Sequence, residues 1–166
     1  LIMNAGAFGR EISTFFEEAK TITLEGNIKT YSKHDVQFSY RHSTFPIDEV
    51  LIEATLKCKK GRPDRILKDR KIASQGRKST QPLKFRSAGS IFKNPSNKLA
   101  AGYLIDQTGL KGTIYGGASI SNKHANFIVN TGNATAIDVF HLILLAKQKV
   151  AEQFNINLEL EIKLIG

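Results

Sequence analysis

Our interpretation of the chain depends on the stretch Phe85-Arg86-Ser87-Ala88-Gly89-Ser90-Ile91-Phe92-Lys93-Asn94-Pro95. Small polar residues precede an apolar pair, and an Asn-Pro dipeptide, which disfavours helix, closes the stretch. The glycine before Ser90 permits backbone conformations that other residues avoid and lets a ligand approach closely. We therefore predict a polar turn that presents the Ser90 hydroxyl into a cleft, where Lys93 and Asn94 add a cation and an amide.

The composition is that of a globular protein with mixed helices and strands. The 166 residues are 41% hydrophobic and 23% charged, and no apolar stretch approaches the roughly 20 residues of a membrane span. One cysteine, Cys58, excludes an internal disulfide. The four histidines lack ligand spacing, so we predict no metal site.

Most of the positive charge falls in one segment. Between Lys57 and Lys93 there are thirteen Lys and Arg against Asp64 and Asp69, whereas the rest of the chain has eleven basic and thirteen acidic residues. One interpretation is a solvated helix and a lysine-rich loop. The other is an anion site for a polyphosphate, a nucleic acid or an acidic substrate.

The first half reads as strands followed by a basic helix. Lys20–Leu24 and Ile28–Tyr31 flank a Glu-Gly-Asn turn and predict two antiparallel strands. We expect a short helix or loop over Glu11–Ala19 and a strand over Glu49–Leu56. A basic helix follows over Asp64–Gln75, and we expect Gly76 to end or bend it before an extended connector, residues 77–82, that separates two structural units.

The second half alternates helices with short strands. Thr135–Phe154 has apolar residues at helical spacing and Thr135 in the N-cap position, which makes it the clearest helix. The remaining predicted elements are a helix over Asn97–Gln107, a strand region over 112–120 broken by Gly116-Gly117, a strand over Ala125–Asn130 and a terminal strand over Leu158–Gly166.

Three further places could carry function, each with a plainer alternative. Asn4–Gly9 is a turn of small residues whose backbone could approach a flat or phosphorylated ligand, although most such turns are only turns. Arg41, between Tyr40 and His42, is either a surface ion-pair partner or a fixed cation for a carboxylate or enolate. Glu161 alternates with apolar residues, which by default makes it solvent-facing.

Taken together, these motifs resemble the UDP-N-acetylenolpyruvoylglucosamine reductase (MurB) family. Five stretches match in the family's order along the whole chain: residues 3–9, Tyr40-Arg41-His42-Ser43, Gln81-Pro82 with 87–95, residues 101–106 and Glu161–Gly166. The resemblance implies an α+β fold in which residues 1–80 are the C-terminal part of a flavin-binding domain and residues 81–166 are a substrate-binding domain. The absence of a tyrosine-bearing insertion after Arg41 resembles the second subclass of the family.

The resemblance also implies the chemistry. Members of this family are cytoplasmic enzymes of peptidoglycan synthesis that use FAD and NADPH to reduce UDP-N-acetylglucosamine enolpyruvate to UDP-N-acetylmuramate. By position, Ser90 would donate the proton, while Arg41 and Glu161 would hold the substrate carboxylate and stabilise the developing enol. The resemblance gives no reason to expect a membrane or nucleic-acid partner, and the oligomeric state is not predicted.

Ligand contacts follow from the same correspondence. The residues expected to line the flavin are Asn4, Ala5, Gly6, Ala7 and Gly9. Those expected to contact the nucleotide sugar are Arg77, Lys93, Asn94, His124 and Lys163.

Because the family carries its flavin diphosphate loop upstream of the point that matches Leu1, we expect this polypeptide alone not to retain FAD or to be active. Stoichiometric yellow flavin in a purified sample would contradict that expectation. Two alternatives stay open: a basic nucleic-acid-binding module, and a related flavin oxidoreductase with another substrate.

Overall fold

The computed structural model describes residues 1–165, which form two compact units. The first is Leu1–Arg70 and the second begins at Lys71. The predicted α+β class is confirmed. In chain order the elements are β1 (Gly6–Ala7), β2 (Arg10–Glu11), a 3-10 helix (Ile12–Phe15), β3 (Phe16–Ile22), β4 (Ile28–Ser32), β5 (Phe38–Ser39), β6 (His42–Ser43), β7 (Val50–Leu56), α1 (Pro63–Thr80), β8 (Arg86–Ser90), α2 (Ala101–Gln107), β9 (Ile114–Tyr115), β10 (Ala118–Ile120), β11 (Phe127–Asn130) and α3 (Ala136–Phe154).

The first unit is built on an antiparallel sheet with strand order β4-β3-β7. The predicted hairpin is confirmed, with Ala19 opposite Tyr31, and so is the strand that became β7. The helix or loop expected over Glu11–Ala19 is wrong beyond Phe15, since β3 begins at Phe16. Phe16 and Ala19 supply the reason, because both are buried in the core of this unit.

Glu49 is held inside this unit by three side chains. Its side chain is only 3% exposed. Thr21 Oγ1 donates to Oε2 at 2.5 Å, Lys29 Nζ to Oε1 at 2.7 Å, and the Tyr31 hydroxyl to both oxygens at 3.0–3.1 Å. Hydrogen bonds from Lys29 and then Thr21 lower the pKa of Glu49. The carboxylate therefore ties β3, β4 and the segment before β7 together.

Helix α1 is longer than the sequence indicated. It runs unbroken from Pro63 to Thr80, so the helix does not end at Gly76, and the connector expected to be extended over 77–82 is helical through Thr80. A single glycine costs a helix only about 1 kcal/mol relative to alanine, which the residues around it can absorb. No residue of α1 is buried, and its Lys and Arg side chains are exposed.

The second unit packs α2 and α3 on one face of an antiparallel sheet with order β8-β11-β10-β9. Ala118, Ile120 and Ile128 face the helices and join the apolar core. Helix α3 begins as predicted: Thr135 is its N-cap, and Asp138 completes a capping box. The strand region predicted over 112–120 is confirmed as β9 and β10, with the break at Gly116-Gly117 between them, and the strand predicted over Ala125–Asn130 is confirmed as β11.

Three predictions for this unit need correction. The polar turn around Ser90 is instead the strand β8. Helix α2 begins at Ala101, not Asn97. The predicted terminal strand is reduced to an antiparallel bridge between Leu160 and Phe92, and the predicted end of that strand, residue 166, lies outside the described residues.

Two features are absent from residues 1–165. None of the helices there is long and apolar enough to cross a membrane. No group of three or more His, Cys, Asp or Glu side chains in that range could hold a metal ion.

Candidate functional site

Ser90 ends β8 just after a β-bulge. Phe127 of β11 lies opposite Ser90 and Val129 lies opposite Ser87, so β8 contains one residue more than β11 between these two pairs. Gly89 absorbs the extra residue with a φ of 85°. Ile91, next along the chain, points into the core and is 1% exposed. Ser90 is half-buried and shares the opposite sheet face with Phe127.

The C-terminal segment runs antiparallel to the residues that follow Ser90. The Glu161 N–H donates to the Ile91 carbonyl at 2.8 Å, and the Lys93 N–H donates to the Glu159 carbonyl at 2.9 Å. Lys93 Nζ also lies 3.4 Å from a Glu159 carboxylate oxygen. The segment with Ser90 and Lys93 therefore lies beside the segment with the half-buried Glu161, although the two are some 70 residues apart in the chain.

Asn94 and His124 have defined local partners. Asn94 Oδ1 accepts the Ala101 N–H at 3.1 Å and so caps helix α2. The half-buried His124 accepts the Asn126 N–H at Nδ1 (3.2 Å), so the neutral ring carries its proton on Nε2. A Cβ on Gly102 would lie 3.0 Å from the His124 ring, so glycine there leaves room for it. Burial, and secondarily the charge of Lys111, lowers the pKa of His124.

Arg77 and Lys163 are both exposed. Arg77 lies near the end of α1, where its Nε donates to the Gln81 side chain at 3.3 Å. Lys163 lies two residues beyond Glu161.

An open cavity of about 660 Å³ lies on the same sheet face as Ser90. Ser119 of β10 and Val129 of β11 form part of its floor, pointing away from the helices. Its walls combine apolar surface from Phe85 and Ile114 with Gln81, beside Arg77. Three lysines also line it: Lys78, Lys84 and Lys123. Such a space, mostly apolar with a few cations, suits an anionic ligand that carries a flat ring.

Asn126 holds the backbone of Phe92, two residues after Ser90, a contact that no sequence pattern indicated. Its side chain is 4% exposed and hydrogen-bonds to both backbone polar groups of Phe92. Its partner is 34 residues away, so no local pattern marks it.

The remaining predicted site residues belong to the first unit. Asn4 is fully buried: its amide donates to Glu11 and to the Ser39 carbonyl, and its Oδ1 accepts the Ser13 N–H. It fixes the β1–β2 hairpin, on which Ala5, Ala7 and Gly9 are exposed.

Arg41 occupies the turn of the β5–β6 hairpin with a φ of 54°. Its guanidinium lies 4.8 Å from the Tyr40 ring centroid. A Cβ on Gly6 would be 3.6 Å from Arg41 Nη1, an ordinary contact distance, so Arg41 lies against the first hairpin. The predicted cation and the predicted flavin-lining loop are therefore neighbours within this unit.

Several known proteins with similar sequences share one name. Residues 81–165 match the family described as UDP-N-acetylenolpyruvoylglucosamine reductase, C-terminal domain. The protein of that name from Syntrophomonas wolfei is 38% identical over 167 residues, covering 100% of this chain and 56% of its own length. The one from Chloroherpeton thalassium is 45% identical over 174 residues, covering 100% and 55%.

A solved structure gives the same result. The crystal structure of the reductase (MurB) from Thermus caldophilus superposes with a TM-score of 0.84 at 38% identity, covering 98% of this chain and 57% of that one. The chain spans about half the length of the relatives it matches.

Proposed function

The chain belongs to the UDP-N-acetylenolpyruvoylglucosamine reductase family, and from this premise we propose that it acts in the FAD- and NADPH-dependent reduction of UDP-N-acetylglucosamine enolpyruvate to UDP-N-acetylmuramate, a cytoplasmic step of peptidoglycan synthesis. The observation that carries the proposal is the adjacency of Ser90 and Glu161, whose backbones are joined through Ile91. The family match beginning at Gln81 supports residues 81–166 as the substrate-binding part.

In this proposal Ser90 is the acid. The chemistry that a bound FAD would supply is hydride transfer from NADPH to the terminal vinyl carbon of the substrate. The electron pair of the double bond then resides on the adjacent carbon and the carboxylate, and the Ser90 hydroxyl gives that carbon a proton. Solvent returns a proton to Ser90. A serine hydroxyl is a weak acid, so the neighbouring Lys93 would favour the alkoxide it leaves.

Arg41 and Glu161 would act on the substrate carboxylate. A guanidinium offers paired donors to a carboxylate, and Arg41 is pre-oriented by the Tyr40 ring. Glu161 would hydrogen-bond to the developing enol. The Arg41 contact strengthens as negative charge develops, which is the condition for lowering the barrier.

The first hairpin is compatible with a flavin. Exposed small residues at Ala5, Ala7 and Gly9 leave backbone that a flat ring could approach. The Asn4 side chain is fully committed inside the unit, so its contribution would be to fix this hairpin.

The cavity beside β10 and β11 would hold the nucleotide. Its apolar walls suit the uracil ring, and its lysines, with Arg77 on α1 and Lys163 and His124 in the same unit, suit the diphosphate. Asn94 would act by fixing the start of α2 and the Lys93 backbone before it.

Calorimetric titration of the chain with UDP-N-acetylglucosamine enolpyruvate tests this proposal. We expect saturable binding that weakens about tenfold in Arg77→Ala, the effect of losing one charged contact worth about 1.4 kcal/mol. Lys149→Ala is the matched control, because Lys149 pairs with Glu152 on α3. A random-sequence oligonucleotide is titrated in parallel at two salt concentrations. Oligonucleotide binding alone, steeply lost with salt, would favour a nucleic-acid-binding module instead.

A further inference from the structure

Asn126 acts as an additional strand residue beside Phe92. Its Oδ1 accepts the Phe92 N–H at 2.9 Å and its Nδ2 donates to the Phe92 carbonyl at 2.8 Å. Its own carbonyl accepts the Ile91 N–H at 2.9 Å. A side-chain amide carries one donor and one acceptor in the geometry of a peptide group, so Asn126 extends the β8–β11 pairing beyond the bulge.

The same segment is held on its other side by the C-terminal residues. Glu161 donates to the Ile91 carbonyl, and Lys93 donates to the Glu159 carbonyl. The backbone that follows Ser90 is thus bonded on one edge by Asn126 and on the other by the segment that carries Glu161. Phe92 is 2% exposed, so no solvent replaces the Asn126 amide if it is removed.

Asn126 also contacts His124, another predicted site residue. Its backbone N–H donates to His124 Nδ1, which fixes the orientation of the half-buried ring and leaves the proton on Nε2. One residue therefore contacts the backbone beside Ser90, faces Glu161 across that backbone, and orients His124.

We propose that Asn126 is a positioning residue whose side-chain amide sets Ser90 and Glu161 in register for proton transfer to the substrate, an inference that rests on the function proposed above. Only an amide satisfies both polar groups of Phe92. An ionised aspartate would still accept the Phe92 N–H, but its second oxygen would face the Phe92 carbonyl oxygen, and the two acceptors repel each other. Protonation of that aspartate restores a donor, so the defect is reversible with pH.

The test compares Asn126→Asp with Asn130→Asp. Asn130 is the last residue of β11, which begins just after Asn126, but its Oδ1 only accepts, from the Gly132 and Ala134 N–H groups at 2.7 and 3.1 Å. A carboxylate can replace it there at any pH. In the flavin-loaded enzyme, stopped-flow measurements separate flavin reduction by NADPH from flavin reoxidation by the enolpyruvyl substrate.

We expect Asn126→Asp to reduce the reoxidation rate at least tenfold at pH 7.5, to spare reduction by NADPH, and to recover relative to wild type as the pH falls to 5.5. Asn130→Asp should show no such recovery. Wild-type reoxidation at every pH would overturn the inference, and so would equal loss of both half-reactions without recovery, which would indicate only a damaged fold.

Hydrogen exchange in the chain itself separates this inference from the proposed function. Faster exchange of the Phe92 and Glu161 amides in Asn126→Asp than in Asn130→Asp at pH 7.5 supports the positioning geometry, and unchanged exchange overturns it. If the wild-type enzyme reduces its flavin with NADPH but never reoxidises it with the enolpyruvyl substrate, the proposed function fails, and the catalytic part of this inference fails with it.

Discussion

The Glu161 backbone N–H donates a 2.8 Å hydrogen bond to the carbonyl oxygen of Ile91, the residue after Ser90. The two chain segments meet at the edge of the sheet where the β8 bulge interrupts regular pairing. Ile91 is anchored in the core, so neither segment can shift without disturbing apolar packing. A bond between backbones fixes the spacing of the Ser90 and Glu161 residues whatever their side chains do.

Replacement of Ser90 by alanine tests its role as the proton donor. In the complete, flavin-loaded enzyme, we expect Ser90→Ala to slow reduction of the enolpyruvyl substrate by about 10²- to 10⁴-fold, the usual contribution of a positioned acid, while NADPH still reduces the flavin. Stopped-flow absorbance of the flavin measures both steps. Ser87→Ala is the matched control, since Ser87 lies on the same strand opposite Val129. Normal turnover by Ser90→Ala would contradict the assignment.

The Glu49 network should make the first unit sensitive to acid. Its hydrogen bonds hold the Glu49 pKa below the ordinary value of 4.5, so the stabilisation is present above that pH and is lost as the pH falls through the lowered pKa of the folded state. We expect Glu49→Gln to decrease the free energy of unfolding at pH 7 and to flatten its decline in acid. Urea titrations from pH 3 to 7 measure both effects.

The control for that experiment is Glu53→Gln. Glu53 pairs with Lys20 at 3.0 Å on the same sheet, but the two side chains are 57% and 39% exposed. An exposed pair contributes about 0–1 kcal/mol, so this variant should behave almost as wild type. Equal effects of the two substitutions on the free energy of unfolding would show that the Glu49 network contributes no more to stability than the exposed pair does.

His124 should be neutral at physiological pH. Burial and the Lys111 charge both lower its pKa from 6.5. Because the folded value lies below the unfolded one, protonation favours the unfolded chain, and the contribution of the neutral ring to stability declines as the pH falls below 6.5. We expect Lys111→Gln to raise the pKa of His124, as measured by NMR titration of its ring protons. Lys149→Gln should leave the titration unchanged; a shift of equal size there would point to a general charge effect.

The elements predicted correctly are those specified by local chemistry. Thr135 and Asp138 cap α3 through bonds three residues apart, and the hairpin before β4 depends on a short turn. The failures have long-range causes. The Ser-Ala-Gly-Ser sequence is typical of a turn, yet it forms a strand because β11 pairs with it. Gly89 does adopt a positive φ, but it does so in a β-bulge and not in a turn.

The candidate site was predictable only in part. Ser90, Arg41 and Glu161 were candidates from their own sequence contexts, and the family resemblance implied their roles, whereas the adjacency of Ser90 and Glu161 depends on pairing between distant segments. Asn126 was missed because its amide is matched to Phe92 only in three dimensions. The cavity could not be anticipated either, since its walls come from α1, β10 and β11 together.

Two glycines of the second unit should respond very differently to alanine. A Cβ on Gly117 would lie 2.4 Å from the Ala134 backbone nitrogen and 2.6 Å from the Asn133 carbonyl carbon, and backbone atoms there cannot move aside cheaply. A Cβ on Gly102 would meet the His124 ring at 3.0 Å, and a side chain can rotate. We expect Gly117→Ala to lower the free energy of unfolding by at least about 2 kcal/mol, as overpacked sites do.

Gly102→Ala serves as the matched substitution because it adds the same methyl group without a backbone clash. It should be close to neutral for stability, since alanine favours helix by about 1 kcal/mol over glycine and offsets the displaced ring. Gly102→Ala should also alter the chemical shifts and titration of His124, because the added methyl group contacts its ring. Gly117→Ala should not, because the added methyl group meets residues 133 and 134 instead. Urea unfolding and NMR measure the two effects. Wild-type stability of Gly117→Ala would mean that residues 133–134 do not pack on the β9–β10 turn as described, and an unshifted His124 in Gly102→Ala would remove the basis for glycine at that position of α2.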